Sequence, residues 1–280
     1  MSVRVVTDST ADLDPALAKR LGITVVPLQV HFGEEVFESG ITISKTAFYA
    51  RMDSSEVLPR TSQPSAGAFQ QAYEQLRAAD GIVSVHISGK LSGTLNAAQT
   101  AAGLLDADAP PLEVVDSNQA SMGLGFATLA AAETAAAGGD LASVVAAARE
   151  TAARCRVLLF VDTLEYLHKG GRIGRARAFL GTLLRTRPLL ELRDGEITGI
   201  ERPRTRTTAM TRLFDLIVRT PGPEKIAVMY GSTPEEAETL AAQVRERLPA
   251  VEVSVVQVSP VVGVHTGPGA MGAAILRAVP

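Results

Sequence analysis

Short β-branched runs alternate with helix-forming segments through the first half of this 280-residue chain. The runs Val3–Val6, Ile23–Phe32, Gly81–Ile87 and Leu112–Val115 have the residue types of buried strands. Helices are predicted between and after them, at Pro15–Leu21, Ser44–Met52, Ser65–Ala79, Ala120–Ala137 and Leu141–Ala153, with another after Ser92-Gly-Thr94. Such alternation predicts a doubly wound, mostly parallel sheet. Ligands bind beyond the carboxyl ends of the strands in these sheets, so the polar residues that follow the runs are expected at a binding edge.

The second half of the chain has a different pattern. Asp194-Gly195 separates two short apolar segments and predicts a hairpin with a tight turn. Strands are also predicted at Arg156–Val161, Ile226–Tyr230 and Val251–Val258, and helices at Thr208–Val218, Pro234–Leu248 and Gly267–Ala278. The overall fold class is therefore α/β with two domains. Residues 1–150 form the doubly wound domain, and residues 151–280 form an α+β domain with a mixed or antiparallel sheet.

Composition excludes several classes of function. The formal net charge is -3 without a block of like charges, so a nucleic-acid partner is not expected. Cys155 is the only cysteine, which excludes an intrachain disulfide and fits a reducing cytoplasm. The start of the chain lacks the pattern of a signal peptide, and the apolar runs are too short to span a bilayer. No ligand spacing typical of a metal site is present, so no metal ion is expected.

Two hydroxyl-rich segments lie where a loop is predicted to enter a helix. Thr61-Ser-Gln-Pro-Ser65 presents three hydroxyls, and Ser92-Gly-Thr94 places Gly93 where a ligand could approach the backbone closely. A helix start offers free N–H groups and a positive dipole end, and neutral hydroxyls can donate hydrogen bonds to a carboxylate. These segments indicate an anion site, while a turn followed by an ordinary N-cap is the alternative interpretation.

Two further motifs combine glycines with a titratable or basic side chain. His265-Thr-Gly-Pro-Gly269 follows a predicted strand and is expected to begin the last helix, where His265 could orient a carboxyl group or assist phosphoryl transfer. Gly170-Gly-Arg172 sets a guanidinium beside flexible backbone, which suits a phosphate or an acidic partner. Arg202, Arg204 and Arg206 form a second basic group. A structural histidine and a solvated surface are the alternative interpretations.

An enzyme is a competing hypothesis. Ser92, His265 and Asp116 could form a hydrolytic triad, although the nucleophile elbow G-x-S-x-G is absent. His265 could alternatively serve a phosphotransfer protein.

Together these motifs resemble the DegV family, the fatty-acid-binding subunits of bacterial fatty acid kinase. The similarity extends from Val5 to Gly269, nearly the whole chain. Five motifs in this order carry it: Thr7-Asp-Ser9, Thr61-Ser-Gln-Pro-Ser65, Leu91-Ser-Gly-Thr94, Lys169-Gly-Gly-Arg172 and His265-Thr-Gly-Pro-Gly269.

The resemblance implies a carrier rather than an enzyme, with no catalytic residue and no cofactor. A long-chain fatty acid would be bound with its acyl chain buried between or beneath the two domains. Its carboxyl group would be held at Thr61, Ser62, Ser92, Gly93, His265 and Thr266. A separate ATP-dependent fatty acid kinase would convert the bound acid to an acyl phosphate for phospholipid synthesis, with Arg172, Arg204 and His265 facing that kinase. Contact with the membrane would be transient.

Overall fold

The structure is a computed structural model, and it describes residues 2–55, 57–180 and 186–279. Its strands are β1 (Val3–Asp8), β2 (Thr24–Val26), β3 (Gln29–Phe32), β4 (Glu35–Glu38), β5 (Arg60–Ser62), β6 (Gly81–His86), β7 (Leu112–Asp116), β8 (Cys155–Phe160), β9 (Leu189–Arg193), β10 (Glu196–Glu201), β11 (Pro223–Tyr230), β12 (Glu252–Gln257) and β13 (Met271–Arg277). Its helices are α1 (Pro15–Arg20), α2 (Lys45–Ser54), α3 (Ala66–Glu74), α4 (Thr94–Ala102), α5 (Met122–Ala136), α6 (Leu141–Arg154), α7 (Glu165–Lys169), α8 (Arg206–Val218), α9 (Pro234–Arg247) and α10 (Pro260–Thr266).

The first sheet is parallel and has the strand order β2-β1-β6-β7. Successive residues of β1 point to opposite faces: Val5 packs with helices α5 and α6, and Val6 packs with α3 and α4. Helices therefore cover both faces, which is why these strands are apolar almost throughout. The predicted doubly wound sheet is confirmed.

The second sheet has six strands in the order β10-β9-β8-β13-β11-β12. Its strands pair antiparallel except for β11 and β12, which are parallel. One face packs on α8 and α9, as shown by Leu158 against Leu213 and Leu240 in one buried cluster. The predicted α+β pattern and the hairpin at Asp194-Gly195 are both present.

A third, antiparallel sheet of the order β4-β3-β5 lies apart from the other two. The sequence predicted one strand over Ile23–Phe32, but the structure divides this segment into β2 and β3, which belong to different sheets. Pro27 lies at the division, where a residue without an N–H cannot continue the ladder. The predicted helix Ser65–Ala79 is also shorter than expected, because α3 ends at Glu74.

The last predicted helix is wrong. Residues 267–278 contain the buried central strand β13 instead of a helix. The last helix is α10, which precedes this segment and ends at Thr266. Alanine and glycine in this segment suggested a helix, but β13 lies between β8 and β11, where tight packing selects small residues. A Cβ at Gly272 would lie 2.5 Å from the carbonyl oxygen of Leu158 on the neighbouring strand.

One large apolar cluster joins the small sheet, the six-stranded sheet and helix α5, which packs on the parallel sheet. It contains Val30 of the small sheet, Met122 of α5 and Val157 of the six-stranded sheet. The proposed division of the chain into domains at residue 150 stays a prediction, because this cluster contains side chains from both sides of it.

The carboxylate of Asp8 joins the ends of β1 and β6. Asp8 and His86 are fully buried. Asp8 Oδ2 accepts a hydrogen bond from the Ile87 N–H at 3.1 Å and lies 3.0 Å from His86 Nδ1, and Oδ1 accepts from the Thr10 N–H at 3.0 Å. The first of the polar residues expected at the sheet edge therefore has a structural role: it fixes the two loops that begin at Ser9 and Ile87.

We expect Asp8→Ala to destabilise the protein by about 3 kcal/mol or more, because buried donors at residues 10, 86 and 87 would lose their acceptor. Urea unfolding followed by circular dichroism measures this change. Asp108→Ala is the matched control, because Asp108 is exposed, and it should change stability by less than about 0.5 kcal/mol. Equal stability of the two variants would contradict the structural role of Asp8.

Candidate functional site

A cavity of about 360 Å³ lies between the carboxyl edge of the parallel sheet and one face of the six-stranded sheet. Loops that follow β1, β6 and β7 form one wall, strands β8–β11 and β13 form the opposite wall, and α10 with β5 covers the space. Its volume is in the range of small-molecule sites, about 300–1,000 Å³. A cavity is therefore present at the edge where a doubly wound sheet is expected to bind its ligand.

Most of the cavity wall is aliphatic. Its apolar lining includes Leu28, Ile87, Leu91, Ala120, Val157, Leu159, Leu192, Ile197, Met229, Val261, Val262 and Met271. Among the lining residues of the described chain there is no Phe, Tyr or Trp. Such a wall suits a flexible hydrocarbon, because it offers dispersion contacts and apolar burial without a flat surface for ring stacking.

Polar side chains at the cavity come from segments far apart in sequence. Thr61 Oγ1 on β5 lies 2.9 Å from His265 Nε2, and both residues line the cavity. His265 lies in the last turn of α10, so the expectation that it begins the final helix is wrong. Gly267, with φ of +80°, ends that helix, a conformation that favours glycine. The Gly-Pro-Gly turn therefore terminates a helix.

His265 is neutral at physiological pH. Burial, with a smaller contribution from the positive charge of Arg172, lowers the pKa of His265 from 6.5 to about 4. Its Nδ1 is buried and has no hydrogen-bond partner among the described residues. A proton on Nε2 avoids an unpaired buried N–H at Nδ1 and is donated to Thr61 Oγ1. The hydroxyl proton of Thr61 is then available to a carboxylate in the cavity.

Close packing fixes the ring of His265. A Cβ at Gly170 would overlap His265 Nδ1, so the glycine after α7 makes room for the imidazole. On the other side of α10, a Cβ at Gly263 would lie 2.6 Å from the hydroxyl of Tyr49. Two glycines thus let α7 and α2 approach α10 closely and determine where His265 lies.

The remaining predicted carboxyl-binding residues differ in what their side chains contact. Ser92 Oγ lines the cavity, lies 2.8 Å from Thr94 Oγ1 and accepts a hydrogen bond from the Thr94 N–H at 3.3 Å. Ser92 is not the N-cap of α4: Gly93 is, without a side-chain cap bond. Gly93 itself is adjacent to the lining rather than part of it. Ser65, by contrast, is the N-cap of α3, so the alternative interpretation of an ordinary N-cap is correct for this residue.

Ser62 and Thr266 line the cavity, but their hydroxyls have protein partners. Ser62 Oγ donates to Gln29 Oε1 at 3.0 Å and lies 2.9 Å from His31 Nε2. Thr266 Oγ1 donates to the carbonyl oxygen of Val262 at 3.1 Å. Thr61 and Ser92 are therefore better placed than these two residues to bind an anion.

Arg172 lies at the cavity and Arg204 does not. Arg172 is half-buried and donates to the carbonyl oxygens of Leu91 at 2.9 Å and Gly170 at 2.7 Å. Arg204 is exposed on the loop between β10 and α8, outside the cavity lining. Of the two arginines expected to face a partner, only Arg172 is next to His265 and Thr61.

A second depression, here called the outer groove, begins where the cavity ends. It shares Thr61, Arg172 and His265 with the cavity. Its other lining residues are His31, Gly33, Val57, Leu58, Pro59, Arg60, Tyr166, Lys169, Gly170 and Val264. Among the residues that the structure describes, this lining has three basic side chains and no acidic one. Lys169 pairs with Glu165 at 2.6 Å, so it is Arg60 and Arg172 that favour anionic groups near the Thr61–His265 pair.

The described contacts do not assemble the triad of the enzyme hypothesis. His265 contacts Thr61 and not Ser92, and no carboxylate orients its Nδ1 within the described chain. Asp116 instead accepts hydrogen bonds from the backbone N–H groups of Gly89 and Asn118. Ser92 therefore lacks the base that would activate it.

Sequence reasoning missed three polar lining residues, Thr10, Gln63 and Ser121. Gln63 belongs to the motif Thr61-Ser-Gln-Pro-Ser65, and Thr10 directly follows Thr7-Asp-Ser9, so their positions carried a signal. Ser121 precedes α5 without a motif, and the aliphatic lining has the same pattern as ordinary core.

In the described residues no helix is long and apolar enough to cross a membrane. Within the same part of the chain, no group of three or more His, Cys, Asp or Glu residues is arranged to hold a metal ion.

A family model described as "Uncharacterised protein, DegV family" matches residues 2–278. The chain belongs to the DegV family. A DegV domain-containing protein of Streptomyces coelicolor is 42% identical over 279 residues, which cover 98% of each chain.

Solved structures of DegV proteins have the same fold. A fatty-acid-binding DegV family protein of Thermus thermophilus is 35% identical with a TM-score of 0.86, covering 99% of this chain and 100% of its own. DegV of Bacillus subtilis, a fatty acid binding protein, is 31% identical with a TM-score of 0.91 and the same coverage. The predicted family and fold class are confirmed.

The lowered pKa of His265 predicts how its ring titrates. Its NMR signals, assigned with His265→Gln, should stay constant from about pH 8 to pH 5 and change only near pH 4. Because the folded pKa lies below the ordinary value of 6.5, His265 contributes stability above pH 6.5 that is lost as pH falls toward 4. A midpoint near 6.5 in the folded protein would contradict a buried, neutral imidazole.

Proposed function

We propose that this protein binds a long-chain fatty acid, with the acyl chain in the aliphatic cavity and the carboxyl group at Thr61, Ser92 and His265. The observation that carries the proposal is the cavity itself: an aliphatic space that has a hydrogen-bonded hydroxyl–imidazole pair in its wall. The fatty-acid-binding DegV proteins of T. thermophilus and B. subtilis support it, because they share the whole fold.

The acyl chain supplies most of the affinity in this proposal. Burying each CH₂ group contributes about 0.8 kcal/mol, and the aliphatic lining can adapt to a flexible chain. The polar residues then determine the position of the carboxyl group and add a smaller share of the affinity. The hydroxyls of Thr61 and Ser92 donate hydrogen bonds to the carboxylate, and the neutral His265 donates to Thr61 and so orients its hydroxyl. Arg172 adds a positive charge nearby.

We further propose that the bound acid is presented to a separate ATP-dependent kinase in the cytoplasm. The outer groove supports this step because it is basic and reaches Thr61 and His265 from outside. An incoming phosphoryl group would approach the carboxyl group past Arg172. The protein then acts as a carrier without catalytic residues of its own, and its contact with membranes is transient. Arg204, which is exposed, would contact the kinase away from the cavity.

Organic extraction of the purified protein, followed by mass spectrometry, tests the binding proposal. A long-chain fatty acid present at about one molecule per chain is the expected result. Protein that carries no lipid and that fails to bind a labelled fatty acid would contradict the proposed function.

Thr61→Val and Ser92→Ala should each weaken fatty acid binding by about 1.5–3 kcal/mol, because a charged carboxylate loses one hydrogen-bond donor. Fluorescence titration of delipidated protein measures the change. Thr100→Val and Ser143→Ala are matched controls at exposed positions and should bind like the wild type. Wild-type affinity in both cavity variants would show that the carboxyl group lies elsewhere.

Arg172→Ala and Arg204→Ala should retain the bound acid but slow acyl-phosphate formation about tenfold or more, since each removes a contact to an anion. Single-turnover assays with a fatty acid kinase measure this rate, and lipid extraction checks retention. Arg149→Ala, at an exposed arginine outside the cavity and the outer groove, is the control. Normal rates in both test variants would show that these arginines have no role in acyl-phosphate formation.

A further inference from the structure

Gln63 lies between the two segments that carry the candidate carboxyl-binding hydroxyls. It follows β5, two residues after Thr61, and it is one of the residues that line the cavity. Thr61 and Ser92 are half-buried, whereas Gln63 is exposed. Among the polar lining residues that the structure describes, Gln63 is thus the exposed one.

Gly93 provides the surface on which the side chain of Gln63 rests. A Cβ at residue 93 would overlap the carboxamide of Gln63, with Oε1 the nearest atom. The contact joins the loop after β5 to the start of α4, directly beside Ser92. A Cβ at position 93 would therefore displace the carboxamide of Gln63, whereas the φ of -73° at Gly93 would itself accept any residue.

The carboxamide of Gln63 is free to bind a ligand. It has no hydrogen-bond partner among the described residues, although it offers two donors and one acceptor. An amide N–H can donate to a carboxylate, and it does so without adding a charge that would need its own partner. The nearby Arg172 already uses donors on the carbonyl oxygens of Leu91 and Gly170.

We propose that Gln63 is a further ligand-binding residue: resting on Gly93, it closes the cavity over the head group and donates a hydrogen bond to the outer carboxylate oxygen. The inference rests on the proposed function and deepens it. Gln63 thereby controls how fast the bound acid leaves. The alternative is a side chain that only fills space above Gly93.

Three variants separate these roles. Gln63→Met retains a side chain of similar volume but lacks the donor. Gln63→Glu retains the shape and replaces the donor with a second carboxylate. Gly93→Ala leaves Gln63 unchanged and displaces its carboxamide. Gln71→Glu is the matched control for charge, because Gln71 is an exposed residue of α3 outside the cavity lining.

The dissociation rate of a fluorescent long-chain fatty acid from each delipidated variant tests the proposal. We expect Gln63→Met and Gly93→Ala to release the acid about 3- to 10-fold faster than the wild type, and Gln63→Glu to release it faster still because two carboxylates repel. Gln71→Glu should match the wild type.

Wild-type release by Gln63→Met would show that the side chain only fills space, and wild-type release by Gln63→Glu would place the head group elsewhere. Either result overturns the role of Gln63. Failure of the wild type to bind any fatty acid would instead overturn the proposed function.

Discussion

The hydrogen bond between Thr61 and His265 is the contact on which the candidate site depends. It joins residues 204 positions apart, one on a strand of the small sheet and one on α10. Neither residue is placed by its own segment alone. Thr61 is held by the pairing of β5 with β3, and His265 is held by the close approach of α7 and α2 to α10. The polar end of the cavity therefore forms only when the whole chain has folded.

Burial determines what this pair can do. An exposed imidazole would be partly charged near neutral pH, but His265 stays neutral because its surroundings cannot solvate the charge and Arg172 opposes it. A neutral ring that donates to Thr61 leaves the threonine hydroxyl as a donor in turn. The cavity thus presents a chain of hydrogen bonds toward an anion, while the only full positive charge among the lining residues that the structure describes belongs to Arg172. This arrangement suits a ligand that is retained mainly by its apolar part.

Much of the first half could be predicted from the sequence because local pattern and tertiary environment agree there. Val5 and Val6 face two different helical layers, so a run of apolar residues correctly indicates a strand buried on both faces. The closing segment was mispredicted because Gly272 and its alanine neighbours suit a helix by propensity but lie in a crowded central strand. That crowding comes from strands distant in sequence and leaves no local signal.

The residues of the candidate site could be predicted where they belong to sequence motifs. They could not be predicted where the packing of distant segments determines which residues meet. Thr61, Ser92 and His265 belong to motifs, and the structure brings all three to one cavity. The position of Arg204 outside that cavity, and the contact between Gln63 and Gly93, depend on how loops from different sheets meet. Aliphatic lining residues have the same alternation as ordinary core, so the cavity itself left no trace in the sequence.

The most direct test of the central claim is the NMR signal of a fatty acid labelled with ¹³C at its carboxyl carbon, bound to delipidated protein. The claim predicts one bound signal, shifted by Thr61→Val, that stays constant from about pH 8 to pH 5.5, because hydrogen bonds from Thr61 and Ser92 favour the ionised carboxylate and so lower its pKa. A signal that titrates like an exposed carboxylic acid, or that Thr61→Val leaves unchanged, would contradict a carboxyl group held by the Thr61–His265 pair.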